Sequence, residues 1–235
     1  MGFGGLDRSV YAVGLALALE ACHDWDGLDP RLSSGGGSGG SGGPGGSGAG
    51  TAETTNVGGG SEDVRLQAVA DTYANEDVNM VGTSFGSASV MKTDGNGSGV
   101  KRKRSFVQFD LSSIPDGVTI RGADLTLCFT KVGMSDGRTH DLHKVVEGWT
   151  EAELVWTAQP AVDEDISSSI VVPAEEECVT HTVTSDVQSW VDGAMNYGWS
   201  VVDRDETSMG SSTEYATKEG LDADIQPTLA ISYDP

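Results

Sequence analysis

Residues 101–113 read KRKRSFVQFDLSS, and the fold is decided there. A basic run enters an alternating segment in which Val107 and Phe109 share one face and Phe106 and Gln108 the other. Side chains alternate like this along a strand with one face on a core. Leu111 follows, and Pro115-Asp116-Gly117 supplies turn chemistry that stops the strand. The stretch predicts a central strand, and its neighbours should pack around it.

Working outward, the same period recurs. Val64 to Ala68 is a first strand, which Ala70 to Tyr73 either continues or follows, then Asn75 to Gly86 reads as a polar loop. Ser89 to Thr93 is a short strand, and Asp94 to Gly99 is a turn. After the central strand come Val118 to Ile120 and Ala123 to Phe129, where Ala123, Leu125, Leu127 and Phe129 point one way. His140 to Val146, Leu154 to Trp156 after a short helical turn, Ile170 to Val172, Cys178 to Val183, Trp199 to Val202 and Thr228 to Tyr233 are further strands. Thr184 to Val191 is the one convincing helix, with Thr184 as N-cap and Asp186 near its positive end. Many short strands with regular turns and one small helix predict an all-β antiparallel sandwich, jelly-roll-like.

Composition limits what such a domain does. Asp and Glu number 36 against 14 Lys and Arg, a formal net charge of −22. The resulting field repels phosphate, so nucleic acid is an unsuitable partner. No run of ~20 apolar residues is present to span a bilayer as a helix.

Ahead of the sandwich, Arg8 precedes the apolar run Val10 to Leu19, and Leu19-Glu20-Ala21-Cys22 resembles a bacterial lipobox. That reading makes Cys22 a lipidation site and residues 1–22 a signal peptide. An ordinary secretory signal and a plain N-terminal helix are the alternatives. Residues 23–62 are rich in Gly and Ser and cannot bury enough apolar surface to offset their conformational entropy. They predict a flexible linker with a mean reach of roughly 35 Å. Residues 63–235 are then the domain. The expected location is extracellular, on the cell surface, as a bacterial outer-membrane lipoprotein that meets the membrane only through a lipid anchor.

Several elements together resemble one family. The segments are Ala70-Asp71-Thr72-Tyr73, Ser84-Phe85-Gly86, Phe106 through Pro115, Ala123 through Leu127, Trp149-Thr150-Glu151 with Val155-Trp156-Thr157 and Pro160, Val183-Thr184 with Val187 and Trp190, Asn196-Tyr197-Gly198, and Pro227 through Tyr233. In this order they resemble the DNRLRE family, also described as carbohydrate-binding module family 96. The resemblance covers nearly the whole domain. Gln108 stands where the family usually has Arg, and Trp156-Thr157 lacks the Asn that often follows. The resemblance implies a non-catalytic extracellular module that binds polysaccharide, acidic ones such as alginate in some members. A structural or adhesive unit contacting protein or matrix is the alternative.

Candidate ligand residues follow from chemistry. Lys101, Arg102, Lys103 and Arg104 form the one dense cluster of cations, suited to sugar carboxylates or sulfates. Its rival reading is a charged strand entry that protects a sheet edge. Lys92, Lys131 and Arg138 would join the patch if the fold brings them near. Trp149, Trp156, Trp190 and Trp199 sit at motif positions that read as core. Tyr197 and Tyr215, in or beside loops, are the expected sugar-stacking rings.

His140 and His143, with His181 and Cys178, do not make a zinc set, because positions i and i+3 of a strand face opposite ways. No cofactor is expected beyond structural calcium, for which Asp163-Glu164-Asp165 and Glu175-Glu176-Glu177 are candidates. Cys128 and Cys178 are either a disulfide, as export favours, or two free thiols. No nucleophile elbow or His-paired cysteine points to catalysis.

Overall fold

The structure, a computed structural model, describes residues 60–95, 101–208 and 212–235. Cys22, the signal-like run, the linker up to residue 59 and most of the Asp94–Gly99 turn lie outside them.

Ten strands carry the described residues: β1 (Glu62–Asn75), β2 (Val90–Thr93), β3 (Lys103–Phe109), β4 (Thr119–Lys131), β5 (Thr139–Val145), β6 (Val162–Val171), β7 (Cys178–Thr182), β8 (Trp199–Asp203), β9 (Thr213–Ala216) and β10 (Thr228–Asp234). All pairings are antiparallel, in the order β2-β9-β4-β10-β1-β3-β8-β5-β6, with β7 also on β4.

The path folds into two layers at β1. Its first half, Glu62 to Gln67, pairs with β10, and its second half, Ala68 to Asn75, pairs with β3 after a shift of register between Ala68 and Ala70. A bulge of this kind bends a strand and lets it serve two sheets. Val107, Phe109, Leu142, Trp199 and Val201 from the β3 side then meet Leu125, Leu127, Leu229 and Ile231 from the β4 side in one core. This is the all-β sandwich with one short helix that the alternation predicts.

The central strand behaves as its pattern requires. Val107 and Phe109 face the main core, while Phe106 faces outward into a second cluster with Ala74, Val145 and Leu154. The chain after β5 covers that outer face, and half-buried Trp149, Trp156 and Tyr197 close it.

Several local expectations need correction. Helix α1 runs Thr184–Val191 as expected, but its N-cap is Val183 and Thr184 makes no cap. The Thr184 hydroxyl instead accepts the Ala123 N–H and ties the helix to β4. Val118 to Phe129 is one long strand from Thr119 rather than two. Leu154 to Trp156 forms a turn with only a Val155–Ala158 bridge. β6 begins at Val162, so the acidic Asp163-Glu164-Asp165 lies on a strand at the sheet's edge.

Cys128 and Cys178 face each other in the β4–β7 register, and a disulfide joins them with 3.8 Å between Cα atoms. His140 and His143 point to opposite sides of β5, the former buried and the latter half-exposed.

Candidate functional site

The basic run lies at the entrance to β3, and alternation divides it. Arg102 and Arg104 share the outer face with Phe106. Each guanidinium carbon stands 5.3 Å from the centre of the Trp156 ring, within range of a cation–π contact. Trp149 packs on Phe106 with ring centres 5.9 Å apart, and its indole N–H donates to the Tyr197 carbonyl at 2.8 Å. The Tyr197 ring lies over Gly148, close enough that a β-carbon there would sit 3.3 Å from it. Three half-buried rings thus cover the Phe106 cluster, and two guanidiniums stand on one of them.

The cations are not bare. Arg102 donates through Nε and Nη2 to both oxygens of Glu76, at 2.8 and 2.6 Å. These bonds hold the Glu76 carboxyl below the usual carboxylate range. Arg104 makes the same two-toothed contact with Glu206, at 2.7 and 2.8 Å, and Arg102 Nη1 reaches Glu206 at 3.4 Å. Lys103 pairs with Asp94 at 2.9 Å, and Lys101 is exposed. Three carboxylates therefore answer four cations, and the guanidinium planes are fixed rather than free to swing. Lys92 and Lys131 are drawn to Glu214, and Arg138 to Asp203, so none extends the patch as an open charge.

Tyr215 is a correction. It lies on β9 rather than in a loop, is fully buried, and bonds His140 Nδ1 through its hydroxyl at 2.6 Å. Burial pushes its phenol well above the ordinary range. The ring is core and cannot stack on a ligand. Trp190 and Trp199 are core as well, with ring centres 4.6 Å apart.

A concavity of about 580 Å³ opens where β3 leaves the sheet. Gln108, Asp110, Ser112, Asp116, Asn196 and the edge of Trp190 line it. Gln108 and Asn196 are pinned by the Asn196 and Phe109 carbonyls, at 2.9 and 2.8 Å. Among the described residues this groove is lined by carboxylates, amides and the apolar Val69, Leu111 and Ile114, with no cation.

A family model described as carbohydrate-binding module family 96 matches residues 62–233. The chain belongs to that family. No curated protein matches it.

In this family 96 module, sequence reasoning missed residues of two kinds. Glu76 and Glu206 lie far from Arg102 and Arg104 in the chain, 26 and 102 residues away for the closest contacts, and no local signal links them. Asp71 did leave a signal. It shares the inward phase of β1 with Tyr73, where an acidic residue is out of place. It is fully buried, and burial raises its carboxyl above the ordinary range. Its Oδ2 accepts the Lys218 N–H at 2.8 Å, and its own N–H donates to Glu151 Oε1 at 2.7 Å. The acidic runs at Asp163 and Glu175 form no comparable cluster among the described residues.

Proposed function

We propose that this module binds an acidic polysaccharide such as alginate, without chemistry, across the face built by Arg102, Arg104, Trp156, Trp149 and Tyr197. The observation that carries the reading is the pair of guanidiniums standing together against one indole ring. A uronate offers a planar carboxylate that matches a guanidinium edge and a C–H face that packs on an aromatic ring. Glu76 and Glu206 hold both guanidiniums in place, so little side-chain freedom is lost when a ligand arrives. Arg104 Nη1 takes part in none of these ion pairs, and Lys101 adds an exposed charge.

We further propose that the module acts outside the cell, held by a lipid on Cys22. The Cys128–Cys178 disulfide supports an oxidising compartment.

The test is retention on gels carrying alginate, pectin or a neutral glucan, at low salt. Alginate or pectin should retard the protein, salt should release it, and replacing Arg102 and Arg104 by Gln should abolish retardation. No retention on any anionic glycan sinks the proposal. Retention on the neutral glucan alone would favour a second reading, in which the cation-free groove at Gln108 and Asn196 binds sugar hydroxyls.

A further inference from the structure

Three acidic side chains from distant parts of the chain converge beside the second half of β1. Asp71 comes from β1, Glu151 from the connection between β5 and β6, and Glu219 from the connection between β9 and β10. Each offers a carboxylate oxygen, and the three oxygens lie within 4.8 Å of one another. This stretch of β1 pairs with β3 on one side only. On the other, the Asp71 N–H is met by a side chain, Glu151 Oε1.

Convergence alone would not make a site, since acidic groups often cluster on an acidic protein. The state of the individual oxygens says more. Asp71 is fully buried, and its Oδ1 has no hydrogen-bond partner among the described residues. Glu219 Oε2 is buried and partnerless in the same sense. The other oxygen of each is engaged, Asp71 Oδ2 by the Lys218 N–H and Glu219 Oε1 by the Lys218 ammonium. Glu151 follows suit. Its Oε1 accepts the Asp71 N–H and faces Lys218 Nζ at 3.0 Å, and its Oε2 carries neither bond. Asp71 and Glu219 are thus each anchored by one oxygen, and their carboxyls also face each other, so a shared proton or a cation has to stand between them. Leaving a buried acceptor unmet is costly unless something outside the polypeptide meets it.

Charge leads the same way. Lys218 brings one positive charge to three acidic groups, so ionising all three would leave two negative charges in a largely buried place, and burial already raises the Asp71 carboxyl in answer. The surrounding backbone is built to hold this arrangement. Ser84 donates to the Glu151 carbonyl at 2.5 Å, and a β-carbon at Gly86 would sit 2.5 Å from Glu151 Cβ, so only glycine lets the 84–86 loop close over Glu151. Gln226 Nε2 donates to the carbonyls of Lys218 and Gly220, at 2.9 and 2.8 Å, and shapes the turn that presents Glu219.

We propose that Asp71, Glu151 and Glu219 bind one hard divalent cation, which fastens β1 to the two connections. Calcium is the fitting probe, because it accepts several carboxylate oxygens with flexible geometry and fills its remaining positions with water. The role is structural and is separate from glycan binding, so its test needs no glycan.

The full chain, stripped with a chelator, is titrated with calcium chloride by calorimetry, and its thermal midpoint is measured with and without the ion. One ion should bind per chain. At a hundredfold excess over Kd the midpoint should rise by roughly 5–10 °C. Asp71→Asn and Glu219→Gln keep the shape of the side chains and should each weaken binding about tenfold or more. If Asp71→Asn does not fold, Glu219→Gln and the unmodified chain still decide. No binding heat and an unmoved midpoint in the unmodified chain would overturn the proposal. Undiminished binding by either variant would place the ion elsewhere and overturn it as well.

Discussion

His181 is the place to test the core by pH. It lies on β7 opposite Leu125, on the inward face, and is fully buried. Neither ring nitrogen has a hydrogen-bond partner among the described residues. The titratable groups that act on or near it are His140 and Asp141, both on β5. Desolvation lowers the His181 pKa from 6.5 to about 4, and Asp141 pulls weakly the other way.

The sign follows from linkage. A histidine whose folded pKa lies below its unfolded value binds protons preferentially in the unfolded chain. Stability is therefore intact above pH 6.5 and is lost as pH falls toward 4. At pH 5 the loss for His181 comes to about 2 kcal/mol, approaching about 3 kcal/mol below pH 4. His181→Leu removes this loss and the two unmet nitrogens together. Urea unfolding of both proteins at pH 8 and pH 5 isolates the effect, because every other titrating group contributes to both. The variant's advantage should grow by about 2 kcal/mol from pH 8 to pH 5. Curves that stay parallel across that range would refute the reasoning.

Three other outcomes are expected. Reducing the Cys128–Cys178 disulfide, which spans 50 residues, should destabilise the fold by about 4 kcal/mol on the loop-entropy argument; an unchanged melting midpoint under reductant would contradict it. Gly198→Ala should cost about 3 kcal/mol or more, seen as a lowered denaturation midpoint, because φ is 73° there and a β-carbon would stand 2.1 Å from the Val107 carbonyl oxygen. Glu206→Gln loosens the carboxylate grip that holds Arg102 and Arg104 in place, so alginate affinity should fall about twofold to fivefold; a rise would mean that Glu206 mainly competes with the ligand for the arginines.

What the sequence made legible was what alternation and composition encode locally. The Phe106–Phe109 pattern placed two faces correctly, and the run Thr184–Val191 marked the helix to its end. Only the end of β6 was legible, at Ile170 and Val171, because it is an edge strand, exposed along most of its length, and no apolar period marks the rest. Its acidic residues suit an edge that must not pair with another chain. β9 is four residues long, and its loop-like neighbours hid Tyr215. The ion pairs of the arginines and the convergence of Asp71, Glu151 and Glu219 depend on which connections cross which strands. That is topology, and no spacing along the chain reports it.

The division of β1 between two partners has a mechanical side. Glu62 pairs with Tyr233 near the very end of β10, whereas Arg104 pairs with Ala74 at the far end of β1. A pull delivered at Glu62 and resisted at the end of β10 would part the β1–β10 rungs one after another, as a zip opens. The same pull resisted at Arg102 and Arg104 runs the length of β1 and loads the β1–β3 rungs together, in shear. Rungs loaded together must fail together, so the strand is weak against a tug between the ends of the domain and strong against one taken up at the arginine face.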